Sequence, residues 1–348
     1  MSWIYGDTFD SYASADLGLR YSSFDSGRVT IGSGNGRDGT NALHFSSSAG
    51  GYVYRGIPRS SSAIRTTHFA YKGAAGITSQ TLLSHVDAVN SASHFTLVLN
   101  TNGSLSLYRN PAGIGPLSTF SSTVICTTPS ALITGGAWAH IAVEAKIHGS
   151  AGYVKIYVNS AEKASFTGQT SANGDLSVDE VAVGGYDCDI DDLIITDDVD
   201  IGDGVSAYLG DLIGERSLIL LNGSTMTWTP NTGTAHAAVD DVTPDGDATT
   251  IASNTVGQVA LFTHGALTRI DSGIRCVQAS SVAKKDTGGT RAITHRAHSG
   301  STDTDGDDSY LGTSNQAHIT PFTKDPDTSS QWTAAGVDAA EFGPKVSV

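Results

Sequence analysis

Closely spaced carboxylates are the first groups in this sequence with chemistry to offer. Asp303, Asp305, Asp307 and Asp308 begin like a calcium loop, because a hard cation needs several oxygen ligands at short spacing. The glycine falls at the fourth position and Ser314 stands at the twelfth, whereas such a loop needs glycine sixth and a bidentate glutamate twelfth. Asp303, Asp305 and Asp307 are the candidate metal ligands; calcium is the one cofactor weighed, and a solvated acidic turn is the alternative reading. Asp187, Asp189 and Asp191 alternate with Cys188 and Ile190, which puts them on one face near a sheet edge, where they either guard the edge against pairing or form a calcium or sugar-associated site. Asp240, Asp241, Asp245 and Asp247 read the same way.

Catalytic strings are missing. The glutamates at 144, 162, 180, 215 and 341 do not form the Glu-x-Asp-x-x-Glu pattern that sets two carboxylates on one strand face for glycoside cleavage. No Gly-x-Ser-x-Gly elbow presents a nucleophile. Gly32, Ser33, Gly34, Asn35 and Gly36 look like a nucleotide loop, but Arg37 takes the place of the last glycine. His140 and His148 lie too far apart on one strand to share a metal, and Cys126, Cys188 and Cys276 fit neither a disulfide framework nor a zinc spacing. The expectation is therefore a chain that is not an enzyme. Binding chemistry remains: Tyr52, Tyr54, Tyr108 and Tyr186 are expected in loops, where a ring can stack on a sugar while Asp or Asn side chains bond its hydroxyls.

Composition narrows the partners. The net charge of −15 repels phosphate, so nucleic acid is not an expected partner. Seventeen acids face one base, Arg216, between Thr170 and Asp247, which marks a solvated face or a surface for a cation or basic partner. No run approaches the roughly 20 apolar residues that cross a bilayer, so no membrane insertion is expected. The opening residues Met1 to Asp7 show neither the basic nor the apolar part of a signal peptide, which predicts assembly in a cytoplasm.

These groups must be positioned by strands. Thirty Asp beside 5 Glu and 8 Lys, with 40 Gly, favour turns over exposed helices. Phe95, Leu97 and Leu99 alternate with polar residues, Asn102-Gly103 supplies a positive-φ turn, and Leu105 and Leu107 resume the pattern to Arg109, which predicts a hairpin. Ile141 to Ile147 and Val154 to Val158 predict a second hairpin, with a further turn at Asn159 to Glu162. Leu176 to Val183 and Cys188 to Thr196 predict two more strands. Residues 1–200 are thus expected to form one antiparallel sandwich with Phe45, Phe69, Phe95, Leu97, Trp138, Ile141, Ile156 and Ile194 in its core. A polar link over 197–207 leads to a second, mostly β domain, 201–348, in which Ile274 to Ala283 and Thr290 to His298 are expected to pair through Asp286 to Gly289.

Gly6 to Leu17, Gly36 to Gly39 before Ala42 to Phe45, Trp138 to Val143, Tyr153 to Val158 and Ile190 to Thr196 occur in an order that resembles bacteriophage virion proteins with an N-terminal concanavalin A-like or laminin G-like jelly roll. Leu209 to Asp211, Trp228 to Pro230 and Val239 to Asp241 resemble the companion domain of the same proteins. The resemblance implies a structural component of a tailed-phage virion, assembled in the host cytoplasm, tail-associated in preference to a capsid decoration or head fibre. It implies other virion proteins as partners and no particular catalytic residues. Repeated positions on a particle call for a homo-oligomer, a trimer or a ring. A module that recognises a host surface glycan is the alternative function. Lys284, Lys285, Arg291 and Arg296 give the second domain the more basic surface for attachment.

Overall fold

A computed structural model describes residues 3–47, 50–60, 64–90, 92–109, 123–172, 174–197, 208–270 and 273–348. The chain divides into two compact units, Met1–Gly214 and Glu215–Val348. Both are all-β, and the first is a jelly-roll sandwich.

In chain order the first unit contains β1 (Trp3–Asp7), β2 (Ser23–Phe24), β3 (Val29–Gly32), β4 (Ala42–Phe45) and β5 (Gly51–Ser60). Then come β6 (Ile64–Gly73), β7 (Gln80–Asp87), β8 (Ala92–Leu99), β9 (Leu105–Arg109) and β10 (Thr123–Thr127). It ends with β11 (Ala139–Lys146), β12 (Gly152–Val158), β13 (Ala161–Gly168), β14 (Val178–Gly185) and β15 (Cys188–Asp197). One sheet has the order β13-β12-β11-β6-β15-β4-β3, with β1 also on β15; the other has the order β10-β9-β8-β7-β14-β5-β2. The expected hairpins form. Gly103 takes φ +75° between β8 and β9, and Asn159 and Ser160 both take positive φ in the two-residue turn between β12 and β13, as a primed turn requires.

Residues paired across neighbouring strands point to one side of a sheet, so pairing tells which rows face the core. Val53, Val183, Leu83, Leu97 and Leu107 form one inner row, and Phe69, Ile141 and Val158 face it from the other sheet. All are buried. Two polar bonds bridge the sheets: Thr67 Oγ1 to His85 Nε2 at 2.9 Å, and Gln80 Nε2 donating to the Tyr71 hydroxyl at 2.8 Å. One expected core residue sits elsewhere: Trp138 is half-buried with the Lys72 ammonium over its ring. Ile194 is buried as expected, though it pairs with His68 on the outward side of its sheet.

The opening motif proves to be a structural lock. Asp7 Oδ2 accepts from the hydroxyls of Tyr5 (2.7 Å), Tyr12 (2.7 Å) and Tyr21 (3.1 Å), while Oδ1 accepts from the Phe9 amide. Burial, then the Asp7 charge, pushes all three phenols far up.

The second unit contains β16 (Ile219–Met226), β17 (Thr229–Pro230), β18 (Ile251–Ala252), β19 (Ala260–His264) and β20 (Val277–Ala283). β21 (Ala292–Ser299), β22 (Thr302–Asp305), β23 (Ser309–Tyr310), β24 (Gln316–Phe322) and β25 (Glu341–Val346) follow. β20 and β21 are not a hairpin: β20 pairs with β24, and β21 with β22, β23 and β25. Phe322 at the end of β24 packs in one cluster with Ile274, Trp332 and Phe342, and the Trp332 indole donates to the Phe322 carbonyl at 2.8 Å. That long-range burial outweighs the local turn. Among the described residues no helix is long and apolar enough to cross a membrane.

Candidate functional site

The sandwich has two outward faces, and the chain itself covers one of them. Tyr208 stacks on Tyr157 (centroids 3.8 Å apart, planes 3° apart) and lies nearly parallel to His68 at 5.5 Å. Arg37 grips Asp211 with both terminal nitrogens at 2.9 Å and reaches Asp192 and the Leu212 carbonyl at 3.3 Å. The Gly214 amide donates to Asp192 at 2.8 Å. Residues 208–214 therefore belong to the first unit and move its end beyond the expected position 200.

Beneath this segment His68 and His140 lie with ring centroids 5.6 Å apart, and neither nitrogen of His140 has a hydrogen-bond partner among the described residues. Burial, then His140, lowers His68 to about 3; burial lowers His140 to about 4 against the opposing charge of Asp211. On the same side Glu144 accepts from the Tyr153 hydroxyl at 2.8 Å with Lys155 at 3.9 Å. Asp191, whose carboxyl accepts from the Arg37 amide, is raised to about 7 by burial and by Asp192.

The other outward face carries the tyrosines. Pairing runs Ser23–Tyr54–Ala182–Ser84–Thr96–Tyr108–Val124, so these side chains line one row across seven strands. Exposure falls from the open ends, Ser23 and Val124, to the middle, where Ala182, Ser84 and Thr96 are 1–2 % exposed. Ser84 and Thr96 bond to each other at 3.0 Å. Alongside runs Thr81–Val98–Ser106–Thr127, with Ser106 bonded to Thr127 at 2.9 Å and to Asn100 at 2.8 Å. On the other flank Glu180 pairs with Gly56 and Val86 and accepts from the Ser22 hydroxyl at 2.6 Å. Burial raises its carboxyl despite that bond. Tyr52 meets Tyr54 edge to face at 5.0 Å, and burial, helped by Tyr52 and Glu180, pushes Tyr54 to about 12. Tyr54 and Tyr108 stand four strand spacings apart, about 19 Å. The face thus carries half-buried Tyr52 and Tyr108 and buried Tyr54 toward two ends of a buried floor of small residues and hydroxyls.

Three of the four candidate tyrosines therefore lie on strands, Tyr52 and Tyr54 on β5 and Tyr108 on β9, not in loops. Tyr186 sits in the turn after β14, off the row, its amide donating to Gln80. Two of the candidate calcium ligands lie in a cluster of ion pairs. Arg296 binds Asp303 at 2.6 Å and Asp305 at 2.6 Å, Lys345 adds to Asp305, and His298 Nδ1 lies 2.7 Å from Asp303. Asp307 lies beyond β22, exposed, and no group of three potential ligands forms among the described residues. The edge reading of Asp187, Asp189 and Asp191 fails. β15 is interior, between β6 and β4, and Asp189 bonds His44 at 2.8 Å and Asn35 at 3.2 Å.

No protein-family profile matches the chain, and no curated protein does. It is similar to a protein of unknown function with a galectin-like fold from Bacillus subtilis, at 10% identity over 56% of this chain and 96% of that one, TM-score 0.39. It is also similar to an endo-β-1,4-glucuronan lyase from Trichoderma reesei (14% identity, 50% and 90% covered, TM-score 0.37). A third is the carbohydrate-binding module CBM66 from Bacillus subtilis (10% identity, 46% and 87% covered, TM-score 0.32). Likeness at this level concerns the sandwich and carries nothing about a ligand. It does correct one expectation. A lyase stands among the similar sandwiches, so the expectation that the chain is not an enzyme, which rested on missing sequence strings, is withdrawn. His68, His140, Glu144 and Tyr157 share one sheet face from three strands, an arrangement that no short string reveals.

Proposed function

We propose that the first unit is a glycan-binding module whose site is the outward face of the sheet that contains β5, β14, β7, β8 and β9. The observation that carries this is the single row from Tyr54 through Ala182, Ser84 and Thr96 to Tyr108. Sugars pair an apolar ring face with a rim of hydroxyls; aromatic rings take the former and small hydroxyl side chains the latter. The opposite face is occupied by Tyr208 and the segment that follows it. Titration of oligosaccharides into the full chain tests the reading. Tyr108→Ala in the row and Tyr52→Ala, whose ring packs edge to face on Tyr54, should each weaken binding about tenfold, the loss expected when an aromatic anchor is truncated. Tyr186→Ala, off the row, should leave binding unchanged. Equal affinity in all four proteins would remove the site.

For the setting of this module, the ordered resemblance supports a place on a tailed-phage particle, in the tail or as a head decoration, as one copy of a homo-oligomer that meets a host-surface glycan. Mass spectrometry of purified particles should find the chain at fixed copy number; absence from them would end that part of the proposal.

A further inference from the structure

We infer that the row on β5, β14, β7, β8 and β9 takes an uncharged oligosaccharide and rejects chains that carry uronate or sialate groups; the inference rests on the glycan-binding reading above. Selectivity of this kind is decided by which charges line the face and which are absent.

Three parallel rows make up that face. They are Gly56–Glu180–Val86–Ser93, the row from Ser23 to Val124, and Thr81–Val98–Ser106–Thr127. Glu180 is the one charged residue in them, and its charge is negative. A sugar carboxylate is held most strongly by a guanidinium or ammonium partner, bidentate arginine above all, and the rows supply none. The nearest candidate by position, Arg109 at the end of β9, pairs with Phe95 in a core-facing row, and its Nη1 donates to the Gln169 carbonyl at 3.4 Å. Arg59, beyond the other end, is spent on Asp87 (3.3 Å) and Asp175 (3.4 Å).

What the face does supply is neutral. The hydroxyls of Ser84, Thr96 and Ser106 are buried and satisfied by pairing, while Thr127, at the exposed edge, can also take a sugar hydroxyl. Glu180 accepts from Ser22 and can accept from a sugar hydroxyl, while it opposes a sugar carboxylate. The net charge of −15 adds a repulsion that slows the approach of any polyanion. The spacing of Tyr54 and Tyr108, about 19 Å, suits an oligosaccharide in place of a single ring.

The test uses the full chain and matched pairs of oligosaccharides of equal length and linkage that differ in C6 oxidation, such as cello-oligosaccharides against β-1,4-glucuronan fragments. Titration is done at low salt and at 0.5 M salt. The neutral member should bind at least about tenfold tighter at low salt, and the gap should narrow as salt screens the acid. Glu180→Gln, which keeps the side-chain shape, should narrow it as well, and Glu180→Lys should close or reverse it. Equal or tighter binding of the acidic member by the unaltered protein would overturn the inference and leave the glycan-binding reading standing. Silence towards neutral and acidic members alike, across a broad panel, would overturn that reading and the inference with it.

Discussion

Replacing His68 and His140 together by phenylalanine should remove about 4 kcal/mol of acid sensitivity from the first unit. Both imidazoles are held neutral by burial under Tyr208, at about 3 and about 4 against an ordinary value of 6.5. In the unfolded chain they take up protons at 6.5, so the folded form keeps its full advantage above that pH. It loses about 1.4 kcal/mol per residue for each pH unit below, until the folded rings protonate in turn. From pH 8 to pH 5 the loss is about 2 kcal/mol for each histidine. His85 and His94, also lowered, and Asp191, which is raised and so works in the opposite direction, titrate in both proteins and drop out of the difference. Phenylalanine keeps the ring that stacks with Tyr208, and any packing cost it brings is the same at both pH values. Urea-dependent hydrogen exchange in peptides from β6 and β11 isolates the first unit, which a global melt of a two-unit chain does not. The unaltered protein should lose about 4 kcal/mol more than the double variant between the two pH values. Equal losses within about 1 kcal/mol would refute the burial of this pair as neutral rings.

Asp7→Asn takes the charged acceptor from three tyrosine hydroxyls at once and should cost about 3 kcal/mol or more, seen as a fall of about 6–12 °C in the calorimetric transition of the first unit. Gly103→Ala forces a side chain onto a residue at φ +75° and sets its Cβ 2.5 Å from the Ile133 carbonyl oxygen. It should cost about 1–3 kcal/mol by the same measurement, with exchange protection lost first in β8 and β9.

Elements made by local alternation were legible in the sequence. The β8–β9 and β11–β12 hairpins follow from Phe95 to Leu107 and Ile141 to Val158, because period-two burial and a positive-φ turn are both local signals. The binding row was not legible, although its tyrosines were. Tyr54 and Tyr108 reach one face only because β14 inserts between β5 and β7, a pairing that crosses about 100 residues, and because register shifts at Thr81/Leu83 and His85/Val86 decide which side chains turn outward. A slip of one residue would turn the row into the core. The ion-pair partners of Asp303 and Asp305 were hidden for a related reason. Arg296 stands opposite Asp305 across β21 and β22, and Lys345 comes from β25, which pairs with β21; none of this is visible within the acidic run itself. The end of the first unit was misplaced because Tyr208 to Gly214, read as part of a second domain, is held by Arg37 and Asp192 from far upstream.

The most direct test of the tyrosine-row site is chemical-shift mapping of the full chain as a neutral oligosaccharide is added. Amide and methyl signals of Ala182, Thr96 and Val98 should move with saturating dose dependence while those of Ala142 and Ile194, on the covered face, stay fixed. Shifts confined to the Ala142 side, or to residues 215–348, would contradict it.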